Sequence, residues 1–283
     1  MKKNILALAS VVLLSISSFA QTATQGTFEK IQLKNAVLHV YNSNDVMADA
    51  SFIVEGKDSL VIMETPLFKT NEAEFCKYVS DLKKPVAVQV TDYHEGAGHN
   101  TPILLAEGMG SFMKGAIYGG MMNSFKQGFG ETMVELADTH KATEIPFGKT
   151  VTLAGVTFKF NHGASSDFPA ASIIIDNTAY LTHWVPSEAH VSHLQVGNPG
   201  AIDAEIAETE TELKSGCTVF VGGHGGKGTR QSVEFKKAYL DKAKQFLNKC
   251  KNAEEWAAAM KKAYPNLPLE DNLKALSEAL YKK

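Results

Sequence analysis

At 283 residues the chain is long enough for one large domain, and it needs neither disulfides nor metals in order to fold. Its 44% hydrophobic and 21% charged content excludes a disordered, collagenous or coiled-coil chain. The balance of 28 basic against 31 acidic residues gives net −3 and a pI near 6.3. It lacks the basic excess of a nucleic-acid binder and a polybasic membrane anchor, which leaves a small-molecule substrate or ligand, or another protein, as partner.

The first twenty residues read as an export signal. Lys2 and Lys3 precede an apolar run from Ile5 to Ile16, and Ser18-Phe19-Ala20 supplies small residues at a cleavage site before Gln21. The run is shorter than the ~20 residues a membrane-spanning helix requires. Residues 1–20 are therefore expected to be removed. The mature domain, 21–283, is expected in the periplasm or outside the cell, with no stable membrane anchor.

Short strands are predicted at 36–41, 51–54 and 60–63, the last an apolar run after the turn-like Glu55-Gly-Lys-Asp58. Residues 71–82 follow as an amphipathic helix, with Phe75, Tyr78, Val79 and Leu82 on one face. Lys84-Pro85 ends it, and 86–90 is the next strand. Such a strand–helix–strand unit implies parallel pairing. Residues 100–140 are rich in Gly and Met with poor periodicity, which fits either a mobile lid or short, loosely connected helices, the latter favoured. Strands resume at 150–153, 156–160, 172–175 and 179–182. A helix at 201–213 and a strand at 218–221 precede Gly222-Gly223-His224-Gly225-Gly226, and helices are expected near 232–249, 252–263 and 269–281. The order suits an α/β sandwich with helices outside two sheets. The lysines of the last helices alternate with acidic residues, as on a solvated face. Cys76, Cys217 and Cys250 lie in no CxxC; an oxidising compartment would allow one pair, leaving an odd thiol, and the favoured reading is buried or partly buried structural cysteines.

Polar residues gather directly after predicted strands, where loops hold functional groups on a rigid frame. Four strand ends deliver a histidine: Asp92-Tyr93-His94-Glu95-Gly96-Ala97-Gly98-His99, Asn161-His162 through Asp167, Thr182-His183-Trp184, and Gly223-His224. Imidazole and carboxylate suit zinc, iron or manganese. Ser165-Ser166 lacks a G-x-S-x-G elbow, Gly222–Gly228 lacks the order of a phosphate loop, and His190-Val-Ser-His193 reads as an exposed segment.

Here the chain resembles the metallo-β-lactamase-fold superfamily. Ser51 through Thr65 is similar to its opening hairpin and the strand ending in Asp-Thr/Ser. Lys84 through Thr91 leads into the place of its T-H-x-H-x-D-H-x-G-G loop, and Gly223-His224-Gly225 matches its closing GHG turn. The resemblance implies an αββα sandwich and a metal-dependent hydrolase. The departures are extensive. His94 and His224 keep the expected residue, whereas Asp92 replaces a His, Gly96 an Asp and Ala97 a His. Asp167 falls near a later His, and His183 on the bridging Asp. The implied set is then His94, Asp167, His183 and His224 as ligands of zinc or another divalent metal, Asp92 as ligand or general base, and His99 as a substitute ligand. Within it His94, Asp92 and Asp167 form one group, and His183 with His224 a second group one ligand short. Two functions stay open: an exported hydrolase with a rearranged single-metal site acting on a small ester, amide or lactone, or a non-catalytic protein binding a ligand or partner in the former cleft.

Overall fold

The computed structural model describes residues 25–164 and 171–282, so the expected export signal lies outside the described residues. Two sheets pack face to face. The first holds β1 (Thr27–Gln32), β2 (Val37–Asn42), β3 (Ala50–Glu55), β4 (Leu60–Met63), β5 (Val86–Val90), β6 (Ile103–Ala106) and β7 (Thr143–Ile145) in sequential order. It is antiparallel through β4 and parallel from β4 to β7. The second holds β8 (Thr150–Leu153), β9 (Val156–His162), β10 (Ala171–Ile175), β11 (Ala179–Trp184), β12 (Val219–His224) and β13 (Gly226–Gly228). Its pairing is antiparallel except between β11 and β12.

The strand sequences explain the layering. In β4, Val61 and Met63 point into the core between the sheets, alongside Phe52, Val54, Phe158, Phe160, Ile173 and Val221. Leu60 and Ile62 point the other way, onto Phe75 and Val79 of helix α1 (Lys69–Asp81). A strand buried on both faces needs apolar side chains at every position, which is why 60–63 is an unbroken apolar run. On the far face of the second sheet, Tyr180 and Phe220 pack with Cys217 and Val233, the last from α6 (Arg230–Leu247). Beside it runs α5 (Pro199–Lys214), whose N-cap Asn198 accepts from Ala201 N–H.

The Gly/Met-rich stretch forms α2 (Met109–Met113) and α3 (Ala116–Phe129). Tyr118 and Met122 of α3 pack on Leu67, Phe68 and Met133, so the segment is a docked helical flank. A short α4 (His193–Val196) precedes α5. The C-terminal α7 (Ala253–Ala263) and α8 (Glu270–Leu280) do more than present a solvated face. They close a second core with α6 around Trp256, which is fully buried and donates Nε1–H to Ala243 O at 3.0 Å.

Several expectations need correcting. β1, β6, β7 and β13 were not legible, being short or polar edge segments with little alternation. His190 is no exposed residue: it is 2% exposed and its Nδ1 lies 2.9 Å from Tyr239 OH. Cys76 is exposed, against the expectation of a buried or partly buried cysteine, while Cys217 is buried and Cys250 lies between; all three are free. No described helix is long and apolar enough to cross a membrane.

Candidate metal centre

The loop after β5 carries the first site histidine, and buried polar groups hold it. Glu64, at the end of β4, is 1% exposed and accepts three backbone N–H bonds: from Asp92 (2.8 Å), Tyr93 (3.1 Å) and His94 (2.7 Å). Further along, Thr65 Oγ1 and Gln89 Nε2 both donate to Ala97 O, and Tyr118 OH of α3 donates to Glu95. The chain is thus gripped on both sides of His94.

The other two histidines come from the second sheet. His183 lies near the end of β11 and His224 at the end of β12; the parallel register pairs Thr182 with Gly222 and Trp184 with His224. Gly223 between them has a specific use, since a Cβ there would sit 2.9 Å from His94 Cε1. Its absence admits the His94 ring between the sheets.

The three imidazoles converge. One ligand atom from each of His94, His183 and His224 lies within 4.8 Å of the others, and His94 Nε2 is 3.1 Å from His224 Nε2. Ring centroids are 4.5 Å apart for His94–His224, 4.9 Å for His183–His224 and 5.3 Å for His94–His183. Tyr93 stacks on His183 at 4.4 Å, and Trp184 flanks His224 at 4.2 Å.

Burial leaves the His94 and His183 rings neutral. Burial, with the neighbouring His224, brings His94 down to about 4 despite the opposing pull of Asp49. Burial followed by the other two histidines holds His183 well below the usual imidazole range. Neutral imidazole is the form that binds metal. His224 Nδ1 lies 3.0 Å from both Met47 O and Asp49 Oδ1, which leaves Nε2 as its ligand atom. Burial resists ionisation of Asp49, yet His94 and His224 together keep its carboxyl below the usual range. Three imidazole nitrogens around one point, one of them braced by a carboxylate, fit a zinc-class ion with an open fourth position. The buried His94 Nδ1, without a hydrogen-bond partner, is consistent with a centre that carries charge when loaded.

Not every expected residue joins this group. Asp92 is 0% exposed and its Oδ1 accepts Ala171 N–H at 2.9 Å. Oδ1 thus braces one sheet against the other while Oδ2 is buried without a hydrogen-bond partner; sealed from solvent and outside the three-histidine group, Asp92 is not placed as the expected ligand or general base. Burial lifts Asp92 to about 8, and burial with the Asp92 charge raises Glu64. Asp167 lies outside the described residues. His99 does not swing toward His94; its Nε2 is 3.0 Å from Glu72 Oε1 on α1. The two groups inferred from sequence thus become one, His94 with His183 and His224. At Gly96, where the resemblance sets an Asp, a Cβ would lie 2.0 Å from Thr65 O. The backbone occupies the space a carboxylate would need.

Sequence reasoning missed Asp49 and the role of Glu64. A single acid ending an all-apolar strand was the available signal for Glu64; Asp49 sits in an irregular loop that carries none.

Beside His183 lies a small cleft walled by Tyr93, Ser172, Trp184, Glu205, Glu208 and Lys236. On that wall Lys236 Nζ pairs with Glu205 Oε2 at 2.7 Å, and Glu208 Oε1 accepts from Ser172 and Tyr180.

No protein-family model matches the chain, nor does any curated protein sequence. Solved structures do. The DIM-1 metallo-β-lactamase exposed to ceftazidime aligns with TM-score 0.54 and 13% identity over 79% of this chain and 100% of its own. A stereoselective inverting sec-alkylsulfatase from Pseudomonas sp. aligns with TM-score 0.57 and 16% identity over 86% of this chain, which spans 48% of the alkylsulfatase. An archaeal superfamily protein from Sulfolobus tokodaii gives 0.52 and 16%, covering 85% and 98%. The two packed sheets, the flanking helices and these alignments together establish that this chain has the metallo-β-lactamase fold.

Proposed function

We propose that the protein is an exported hydrolase that holds one zinc-class divalent cation on His94, His183 and His224 and cleaves a small ester, amide or lactone. The observation carrying this reading is the convergence of the three imidazoles within 4.8 Å from three separate strand ends. When bound, the ion supplies a Lewis acid and a water whose pKa falls to ~7. The residues supply the rest. Glu64 fixes the backbone that aims His94, and Met47 O with Asp49 fixes the His224 tautomer. Asp49 Oδ1, 4.0 Å from His94 Nε2, is a carboxylate oxygen beside the centre, able to orient a water O–H. Tyr93 and Trp184 screen the imidazoles, and a small cleft lined by Tyr93, Trp184 and Lys236 adjoins His183. The crowded backbone at Gly96 argues for one metal in place of two.

The test is zinc content of the reconstituted mature protein beside His183→Ala and His224→Ala, with turnover on aryl esters, amides and lactones. One equivalent of zinc lost in each variant, with hydrolysis lost in parallel, supports the proposal. Equal zinc in parent and variants overturns the centre. Zinc bound without turnover on any substrate class points to the ligand-binding alternative.

A further inference from the structure

A second cluster of ligand-type side chains lies away from the three-histidine centre and shares none of its residues. Glu72 and Cys76, four apart on α1, present their side chains on one helix face, and His99 reaches them from the loop after β5. His99 Nε2 and Cys76 Sγ each lie 3.0 Å from Glu72 Oε1, and one ligand atom from each residue falls within 4.8 Å of the others. The Phe75 ring packs edge-on to His99 at 6.1 Å and walls the inner side, while Cys76 is exposed.

Hydrogen bonding leaves this cluster incomplete. Glu72 Oε2 and His99 Nε2 are buried atoms without a hydrogen-bond partner, although the side chains as wholes are only 13% and 11% exposed. The approach of His99 Nε2 to the carboxylate is close but not aligned as a hydrogen bond. Buried polar atoms are nearly always satisfied, and a cation between them would satisfy both.

We propose that Glu72, Cys76 and His99 form a structural site for a zinc-class divalent cation, with its fourth position open to solvent. One thiolate, one imidazole and one carboxylate make a borderline donor set that favours zinc over calcium or magnesium. Tetrahedral bonds of 2.0–2.3 Å require donor–donor edges of roughly 3.3–3.8 Å, within small rotamer changes of the present spacing. Binding replaces the Cys76 S–H proton, which leaves to solvent, by an S–metal bond. The bound ion would tie α1 to the loop that carries His94 five residues earlier, stiffening the approach to the catalytic centre.

Cobalt(II) loading of the reduced full-length mature chain tests this, because a thiolate-to-cobalt charge-transfer band reports a sulfur ligand and the three-histidine centre contains none. The expected result is a band that saturates with one equivalent and disappears in Cys76→Ser and His99→Ala. Glu72→Gln should require at least tenfold more cobalt. His183→Ala should keep the full band while lacking the equivalent at the other centre, so the two sites fail or stand separately. Zinc should also slow labelling of the exposed Cys76 thiol at least tenfold. No band, a band that survives Cys76→Ser, or one unchanged in His99→Ala overturns the proposal.

Discussion

Replacing Glu64 probes how the fold aims a metal ligand. Glu64 is 1% exposed and its two oxygens accept N–H bonds from Asp92, Tyr93 and His94 at 2.7–3.1 Å. Glu64→Ala strands three buried donors at once. Each orphaned buried donor costs about 1–3 kcal/mol, and water entering the vacated space recovers part of that. The expected loss is about 4 kcal/mol, a large share of the ~5–15 kcal/mol by which domains are stable. Glu64→Gln keeps one carbonyl oxygen but turns an NH2 toward donors, so its loss should be smaller, about 1–3 kcal/mol. Urea unfolding of the metal-free proteins reads these values without interference from zinc. In the loaded proteins, both variants should bind zinc 10–100-fold more weakly, the usual effect of removing a ligand's support. If Glu64→Ala unfolds within 1 kcal/mol of the parent and binds zinc equally well, the loop is held by something else and the reasoning fails.

Three further outcomes follow from the same geometry. Burial is the largest reason that Glu212 is pushed up to about 8 from 4.5, with Lys236 opposing and Glu208 and Glu205 adding. The fold therefore keeps a proton that the unfolded chain releases above pH 4.5, so stability present below that pH is lost as pH rises toward 8. At 1.36 kcal/mol per pH unit the ceiling is roughly 4–5 kcal/mol. Glu212→Gln should flatten stability against pH and exceed the parent above pH 8; parallel curves from pH 5 to 9 would count against it. Gly96→Ala, whose Cβ would lie 2.0 Å from Thr65 O and 2.6 Å from Pro66 O, should lower stability by at least ~2 kcal/mol through forced backbone movement, and an unchanged Tm would contradict the crowding. Trp256→Ala should cost ~3–5 kcal/mol by opening the C-terminal core yet leave zinc affinity of the folded protein unaltered, as measured by titration.

How far the sequence reaches differs between frame and site. The run Leu60-Val-Ile-Met63 and the helical face Phe75, Val79 were readable because two-sided burial and one-sided packing leave different periodicities. β1, with its exposed Thr27, Glu29, Lys30 and Gln32, carries too few buried positions to announce a strand. His94, His183 and His224 stood out as histidines at strand ends, but nothing in the intervals between them says that they meet. That meeting depends on the second sheet laying the ends of β11 and β12 against the loop after β5, a long-range property invisible to local pattern. Asp92 misled for the same reason: a polar residue in a loop reads as accessible until the opposite sheet covers it and Ala171 takes its carboxylate.

The central claim is that three imidazoles share one cation, and anomalous diffraction at the zinc edge from crystals of the reconstituted protein tests it most directly. The account predicts a peak about 2.0–2.1 Å from a ring nitrogen of each of His94, His183 and His224. Zinc-loaded crystals with no anomalous density among those three rings would contradict it.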